Sequence, residues 1–342
     1  MSRHATRPAG QEDPAAHRHH RHGGEHAGHS HGVSASANRK WLTIALVVIA
    51  AFMAVEVAVG IVANSLALIS DAAHMLTDAA AIALALVAMR LAARPVSNRY
   101  TFGLQRAEIF SAQINGVSLL LLAGWLGYEA VTRLLNPLQV TGWMVVATGL
   151  TGLGVNLVAA WAISRANRSS LNVEGAYQHV LMDTLASVAA AVAGAVVMLT
   201  GFQQAAPIAT LYVVVLMIRS GWTLVRDSGR VLLNAAPSGM DTHAIAGQLL
   251  AEDKVLEVHD LHVWSIGAEQ PALSAHVMVD QAADCHAVRK TLEGMLVRQY
   301  GITHTTLQVD HFDESLFHQG HHSDAIDSHC ANPHGPSLRR HD

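Results

Sequence analysis

From Trp41 to Leu224 the chain is built of apolar runs, at about 41–63, 65–92, 107–135, 141–164, 172–200 and 206–224. Each reaches the roughly 20 residues that a helix needs to cross the hydrocarbon core of a bilayer. A single run of this kind reads equally well as the buried helix of a soluble protein. Six in succession are more than one soluble domain of this size can cover, so the pattern predicts an α-helical membrane protein with a six-transmembrane-helix bundle over 41–224. Composition alone does not decide this, because 51% apolar and 14% charged residues fit either class; the clustering does.

Cations near the ends of the spans set the expected orientation, since Lys and Arg are retained on the cytoplasmic side. Arg39 and Lys40, then Arg90, Arg94, Arg99 and Arg106, then Arg165 and Arg168, and finally Arg219, Arg226 and Arg230 all fall on one side. The opposite connections offer only Arg133, with none around Asn64 or Gln203. Both termini are therefore expected in the cytoplasm of a multi-pass protein of the cell inner membrane. Residues 1–40 are polar and rich in His and Gly, so the first span is expected to act as its own uncleaved insertion signal. The two cysteines, Cys285 and Cys330, both fall in cytoplasmic stretches, which argues against a structural disulfide. A net charge of −4 without a long basic block gives no reason to expect a nucleic-acid partner.

After Leu224 the hydropathy breaks. The stretch VRDSGRVLLNAAPSGMD, residues 225–241, carries charges, Gly and Pro and reads as a linker. A helix near 242–252 follows, then LEVHDLHVWSIG and PALSAHVMVD as two strands joined by a turn at Gly267–Gln270, a helix over about 284–300, and a last strand in THTTLQVDH. The order αββαβ predicts a cytoplasmic α+β domain of ferredoxin-like type over 242–313, with helices on one face of a sheet. Residues 314–342 read as a disordered tail.

Two pentapeptides stand out inside the apolar runs, HMLTD at His74–Asp78 and HVLMD at His179–Asp183. Residues four apart share a helix face, so each pair forms a two-pronged grip, one on the second span and one on the fifth. Ionisable groups at membrane depth are costly and usually meet a partner in the bundle interior. One divalent metal ion between the two helices would satisfy both pairs. Two imidazole nitrogens and two carboxylate oxygens make a four-coordinate set suited to Zn²⁺, and two carboxylates neutralise one such ion. A plain pair of His–Asp hydrogen bonds is the competing reading, and the repeat at identical spacing favours metal. Asp71, Glu56 and Asn64 are further polar residues nearby in sequence; additional metal ligands are one reading of them, and helix-positioning groups or part of a water-lined approach the favoured one.

At these residues the chain resembles the cation diffusion facilitator family, on its zinc-transporting branch of bacterial zinc, cobalt and cadmium exporters. The segments NSLALISDAAHMLTD, YTFGLQRAEIFSAQING, EGAYQHVLMDTLASV and HDLHVWSIGAEQPALSAHV carry the resemblance, which extends from about Trp41 to His311. It implies a transport site at His74, Asp78, His179 and Asp183, a homodimer, and export of Zn²⁺ against inward protons. It also implies a cytoplasmic metal-binding regulatory domain in which His259, His276 and Asp310 occupy zinc-binding positions, with His286, His304 and His311 close in sequence and metal drawing two subunits' domains together.

The sequence departs from that pattern in two places. The loop Arg94–Arg106 has no His, Asp or Cys, so a second site seen there in some relatives has no ligands, and the connection SRANRSSLN lacks a His-rich insert. His-rich sequence lies instead at the N-terminus, with seven His between His17 and His31, and at His318, His321, His322, His329 and Cys330 near the other end. Flexible tracts of this kind bind transition metals loosely and can raise their local concentration; a tolerated disordered tail is the plainer reading.

Two other classes compete with a transporter. A catalytic zinc needs an open coordination position and a general base, which four protein ligands leave no room for, and the chain has no HExxH helix or nucleophile elbow. It is therefore not expected to be an intramembrane zinc enzyme. A metal sensor that does not transport would differ by its lack of flux.

Overall fold

The computed structural model describes residues 35–62, 66–136, 142–168, 170–267, 270–312 and 338–339, without the side chains of 35–37, 60 and 66–74. Six helices long and apolar enough to cross a membrane come first: α1 (Ala35–Val62), α2 (Leu66–Ala92), α3 (Ala107–Leu135), α4 (Gly142–Ser164), α5 (Leu171–Thr200) and α6 (Ala205–Leu232). Many of their largest side chains point away from protein, with Leu121, Trp125 and Tyr212 each about two-thirds exposed. In lipid that is the stable arrangement, because a helix satisfies its own backbone and an apolar surface costs nothing against acyl chains.

With no hydrophobic drive between helices in lipid, close van der Waals approach through small residues holds the bundle. The α4–α5 contact is made this way. A Cβ added at Gly149 would lie 2.8 Å from the Ala191 nitrogen and 3.0 Å from the Ser187 oxygen, and one at Gly194 would lie 2.9 Å from the Val146 nitrogen. Gly116 of α3 and Gly221 of α6 form the second such crossing, where a Cβ on either would come within 3.2 Å of the other's carbonyl oxygen. A core of Leu42, Ile49, Ile82, Ile163, Val173 and Val180 joins α1, α2, α4 and α5. A smaller cluster of Leu119, Met182 and Met217 joins α5 to the α3–α6 pair.

The sixth helix does not stop at Leu224. It runs on to Leu232 through Arg226, Asp227 and Arg230, so the first half of the expected linker is helical. Asn234, at φ 57°, then turns the chain, a left-handed conformation that Asn adopts more readily than most residues.

The cytoplasmic domain follows as α7 (Thr242–Ala251), β1 (Val255–Ser265), β2 (Pro271–Val279), α8 (Cys285–Tyr300) and β3 (His304–His311). This is the αββαβ order of a ferredoxin-like α+β domain. Asp241 caps α7 by accepting from the His243 and Ala244 amides, and Asp284 caps α8 by accepting from those of His286 and Ala287. The sheet order is β3-β2-β1-β4, with β2 antiparallel to β1 and parallel to β3. The fourth strand, β4, is the short edge Leu338–Arg339 pairing with Val258 and Glu257. The rest of 314–342 and the turn residues 268–269 lie outside the described residues. Leu249, Leu273, Val277, Leu292, Leu296 and Ile302 fill the core between sheet and helices.

Gly149→Val is expected to destabilise the bundle by about 1–3 kcal/mol through overpacking. It should appear as a lower thermal unfolding midpoint in detergent. Gly154→Val on the same helix, where an added Cβ meets nothing within 4 Å, should leave the midpoint nearly unchanged.

Candidate metal centre

The helical repeat carries Asp78 on α2 and both His179 and Asp183 on α5 into the bundle interior, where they are 1%, 3% and 4% exposed. Each supplies one ligand atom, and the three atoms lie within 4.8 Å of one another. His179 Nε2 is 3.1 Å from Asp78 Oδ1 across the helix pair and 3.7 Å from Asp183 Oδ2 one turn along its own helix. Oxygen and nitrogen ligands at about 2.0–2.2 Å around a tetrahedral Zn²⁺ sit roughly 3.3–3.6 Å apart. The two observed separations bracket that spacing, so small side-chain adjustments fit the three donors around one ion.

Local bonds fix the two helices at this level. Asn172 Nδ2 donates to the Ala85 carbonyl at 3.0 Å, tying the start of α5 to α2. On α5, Thr184 and Ser187 return their hydroxyls to the carbonyls of Val180 and Asp183, which spares those hydroxyls the cost of burial without a partner. His74 stands one turn before Asp78 on α2; its side chain, like that of Asp71 and the whole of Asn64, lies outside the described ones. Glu56 is buried on α1 at 6% exposure and is not part of the three-residue group.

In the cytoplasmic domain His259 and His276 are cross-strand partners on β1 and β2. Their rings meet edge to face at 5.3 Å between centroids. Asp310 on β3 pairs instead with Met278, one step along the sheet from His276, and its Oδ2 accepts from Gln308 Nε2 at 2.8 Å. The three share the sheet face opposite the helices without converging: among the described residues only the membrane group brings three such ligand atoms within 4.8 Å.

Two carboxylates that the sequence reading passed over come closer. Glu257 Oε1 is 3.2 Å from His259 Nδ1, and Asp260 Oδ2 is 3.9 Å from His276 Nδ1. The hydrogen bond from His259 holds the Glu257 carboxyl below the usual carboxylate range against the opposing effect of burial, with the Arg339 charge assisting. Simple alternation would have signalled Glu257, two residues before His259. Asp260 is aimed by a bulge between His259 and His262 and sits at φ 50°, which no residue pattern announces.

The other cytoplasmic histidines point elsewhere. His304 packs edge to face on Phe102 at 6.2 Å, and His311 lies 3.0 Å from the Ala283 carbonyl and 3.5 Å from Cys285 Sγ. His286 follows the Asp284 cap at the start of α8. The tract His17–His31 and the residues His318, His321, His322, His329 and Cys330 lie outside the described residues.

Comparison with known proteins covers both domains. Residues 42–233 match the family described as "Cation efflux transmembrane domain" and residues 237–312 that described as "Cation efflux protein, cytoplasmic domain". The "Cadmium, cobalt and zinc/H(+)-K(+) antiporter" of Bacillus subtilis (strain 168) is 36% identical over 288 residues, 83% of this chain and 92% of the relative. The "Zinc transporter ZitB" of Escherichia coli (strain K12) is 35% identical over 310 residues, 86% of this chain and 99% of the relative. The "Metal cation efflux system protein CzcD" of Cupriavidus metallidurans is 38% identical over 287 residues, 83% and 90% of the two chains. With both of its domains matched in order, and with Asp78, His179 and Asp183 inside the first match, the chain belongs to the cation efflux family.

Proposed function

We propose that the protein is a proton-coupled exporter that moves Zn²⁺ out of the cytoplasm, with Cd²⁺ and Co²⁺ as further candidate cargo. The observation that carries this reading is the buried group of Asp78, His179 and Asp183 spanning α2 and α5. His74, one turn before Asp78, supplies the fourth ligand. Two nitrogens and two oxygens suit Zn²⁺, and two carboxylates bring the loaded site to zero charge where an uncompensated ion would be expensive. The relatives' names, which speak of zinc, cadmium and cobalt and of H(+) antiport, point the same way.

Coupling follows from the same charge balance. When the ion leaves, two carboxylates remain in a low-dielectric bundle, and protons are the smallest cations able to neutralise them. The 3.1 Å contact between His179 and Asp78 is one a shared proton can close as readily as a metal. Alternating exposure of such a site to the two sides of the membrane turns that exchange into antiport. The arginine distribution supports both termini lying in the cytoplasm of a bacterial inner membrane, and the cytoplasmic-domain match supports a homodimer. We assign His259, His276 and Asp310 to regulatory zinc binding, with Glu257 and Asp260 as the nearest additional oxygens. The His-rich tract at residues 17–31 is assigned to loose collection of the ion. An intramembrane zinc enzyme is disfavoured because a fourth protein ligand fills the position its water would need; a sensor would give no flux.

Asp183→Ala removes one of the two neutralising charges, a loss of about 3–5 kcal/mol for a broken buried pair, or about 10²–10⁴-fold in affinity. Uptake of radioactive zinc into reconstituted vesicles should fall to background at equal protein density. His259→Ala and deletion of Met1–His31 should leave measurable flux, since water replaces a lost ligand at the cytoplasmic sites. Flux that survives Asp183→Ala and vanishes with the N-terminal deletion would reverse the assignment.

Collapsing an imposed pH gradient is expected to abolish gradient-driven zinc uptake in inside-out vesicles. Uptake indifferent to that collapse rules out proton coupling.

Replacing His74 or His179 by Asp makes the site richer in oxygen, which suits harder ions. Competition assays should show the preference for Zn²⁺ over Mn²⁺ narrowing, and, for the separate reason that the site becomes looser and less dependent on nitrogen, Cd²⁺ admitted more readily. Unchanged metal profiles in both variants would remove the imidazoles from selectivity.

A further inference from the structure

A cavity of about 710 Å³ opens where α2 ends and α3 begins. Leu84, Val87 and Leu91 from the last turns of α2 and Phe110 and Ile114 from the first turns of α3 form its membrane-side walls. The α2 wall from Leu84 to Leu91 is about 10 Å long at 1.5 Å per residue. Val87, Phe110 and Ile114 are about half exposed, so the groove is open along its apolar side. Its polar end is the loop Arg99–Arg106 together with Trp264 and Ile266 at the tip of the cytoplasmic domain's first strand.

The charged residues that line that end have one sign; Glu108, in the first turn of α3, is not among them and accepts from the Ser170 hydroxyl at 3.2 Å. From Ala79 to Ala107 the sequence has four arginines, Arg90, Arg94, Arg99 and Arg106, and no Asp or Glu. Among the described residues none of the four forms an ion pair; Arg106 donates to Asn234 Oδ1 at the end of α6. Arg99 and Arg106 line the cavity itself, beside Tyr100 and Phe102. Aromatic side chains at such a level are the usual companions of lipid headgroups.

An apolar trough that ends in arginines without an ion-pair partner among the described residues matches one ligand chemistry, an acyl chain joined to a phosphate. We propose that this groove binds an anionic phospholipid, its headgroup phosphate at Arg99 and Arg106 and the upper part of one acyl chain against Val87, Phe110 and Ile114. The volume is that of an ordinary small-molecule pocket, enough for the headgroup region while the remaining tail stays in the bilayer. A phospholipid also touches both parts of the protein at once, since Trp264 and Ile266 belong to the cytoplasmic domain and the other walls to the membrane bundle. Anionic lipid content would then tune how firmly the two are held together.

Native mass spectrometry of the full chain in detergent, given phosphatidylglycerol or phosphatidylcholine with the same acyl chains, tests this. Phosphatidylglycerol should be retained at least about fivefold better, the effect of one arginine at an anionic surface. Arg99→Gln should remove most of that preference and Arg99→Lys should keep it, both lying on an exposed loop. Ile114→Trp, which fills the trough, should reduce retention of the bound lipid while the unfolding midpoint stays within the wild-type range; if that variant unfolds, Arg99→Gln still decides. Equal retention of the two lipids, or a preference untouched by Arg99→Gln, overturns the proposal. So does a disulfide between subunits at Ile114→Cys formed in oxidised membranes, which would place a second copy in the groove.

Discussion

Two carboxylates buried on neighbouring helices are affordable in a bilayer only if something positive joins them, and the arrangement of α2 and α5 follows from that need. Asp78 and Asp183 flank His179 at 3.1 Å and 3.7 Å, spacings that a metal ion or a proton can close but that bare mutual repulsion could not hold. The electrostatics therefore couples occupancy to helix position. On the proposed reading, drawing α2 and α5 together favours the cation, and losing the cation loosens the contact.

The bundle is tight within two helix pairs and more adaptable between them. Gly149 and Gly194 on one crossing and Gly116 and Gly221 on the other let backbones touch with little interdigitation. Such surfaces make two firm pairs, α4 with α5 and α3 with α6. Between α5 and the α3–α6 pair lies a cluster of Leu119, Met182 and Met217, where the methionines' unbranched, polarizable side chains adapt to shifted neighbours better than branched ones.

Much of this is legible in the sequence because the bilayer simplifies the problem. Spans show in hydropathy, and the i, i+4 spacing of His179 and Asp183 fixes a common face without any knowledge of tertiary structure. What escapes the sequence depends on contacts between distant segments. Arg226, Asp227 and Arg230 end the hydrophobic run and read as a linker, yet a helix tolerates them and α6 continues to Leu232. In the cytoplasmic sheet a one-residue bulge turns Asp260 toward His276, and no alternation pattern anticipates it. The separation of Asp310 from the two histidines is likewise a matter of strand register, since the pairing of β3 with β2 sets it opposite Met278.

The length of α6 carries one more consequence. Its 28 residues make a rod of about 42 Å at 1.5 Å per residue, against a hydrocarbon thickness of about 30 Å. Roughly two turns project beyond the apolar slab as a stiff strut, ending where Asn234 reverses the chain and receives the Arg106 guanidinium. The cytoplasmic domain thus hangs from a lever rather than a tether. A tilt of a few degrees within the bilayer is carried along that strut as a sideways swing of its far end, and the joint at Asn234 is the pivot where the swing is either passed on or absorbed.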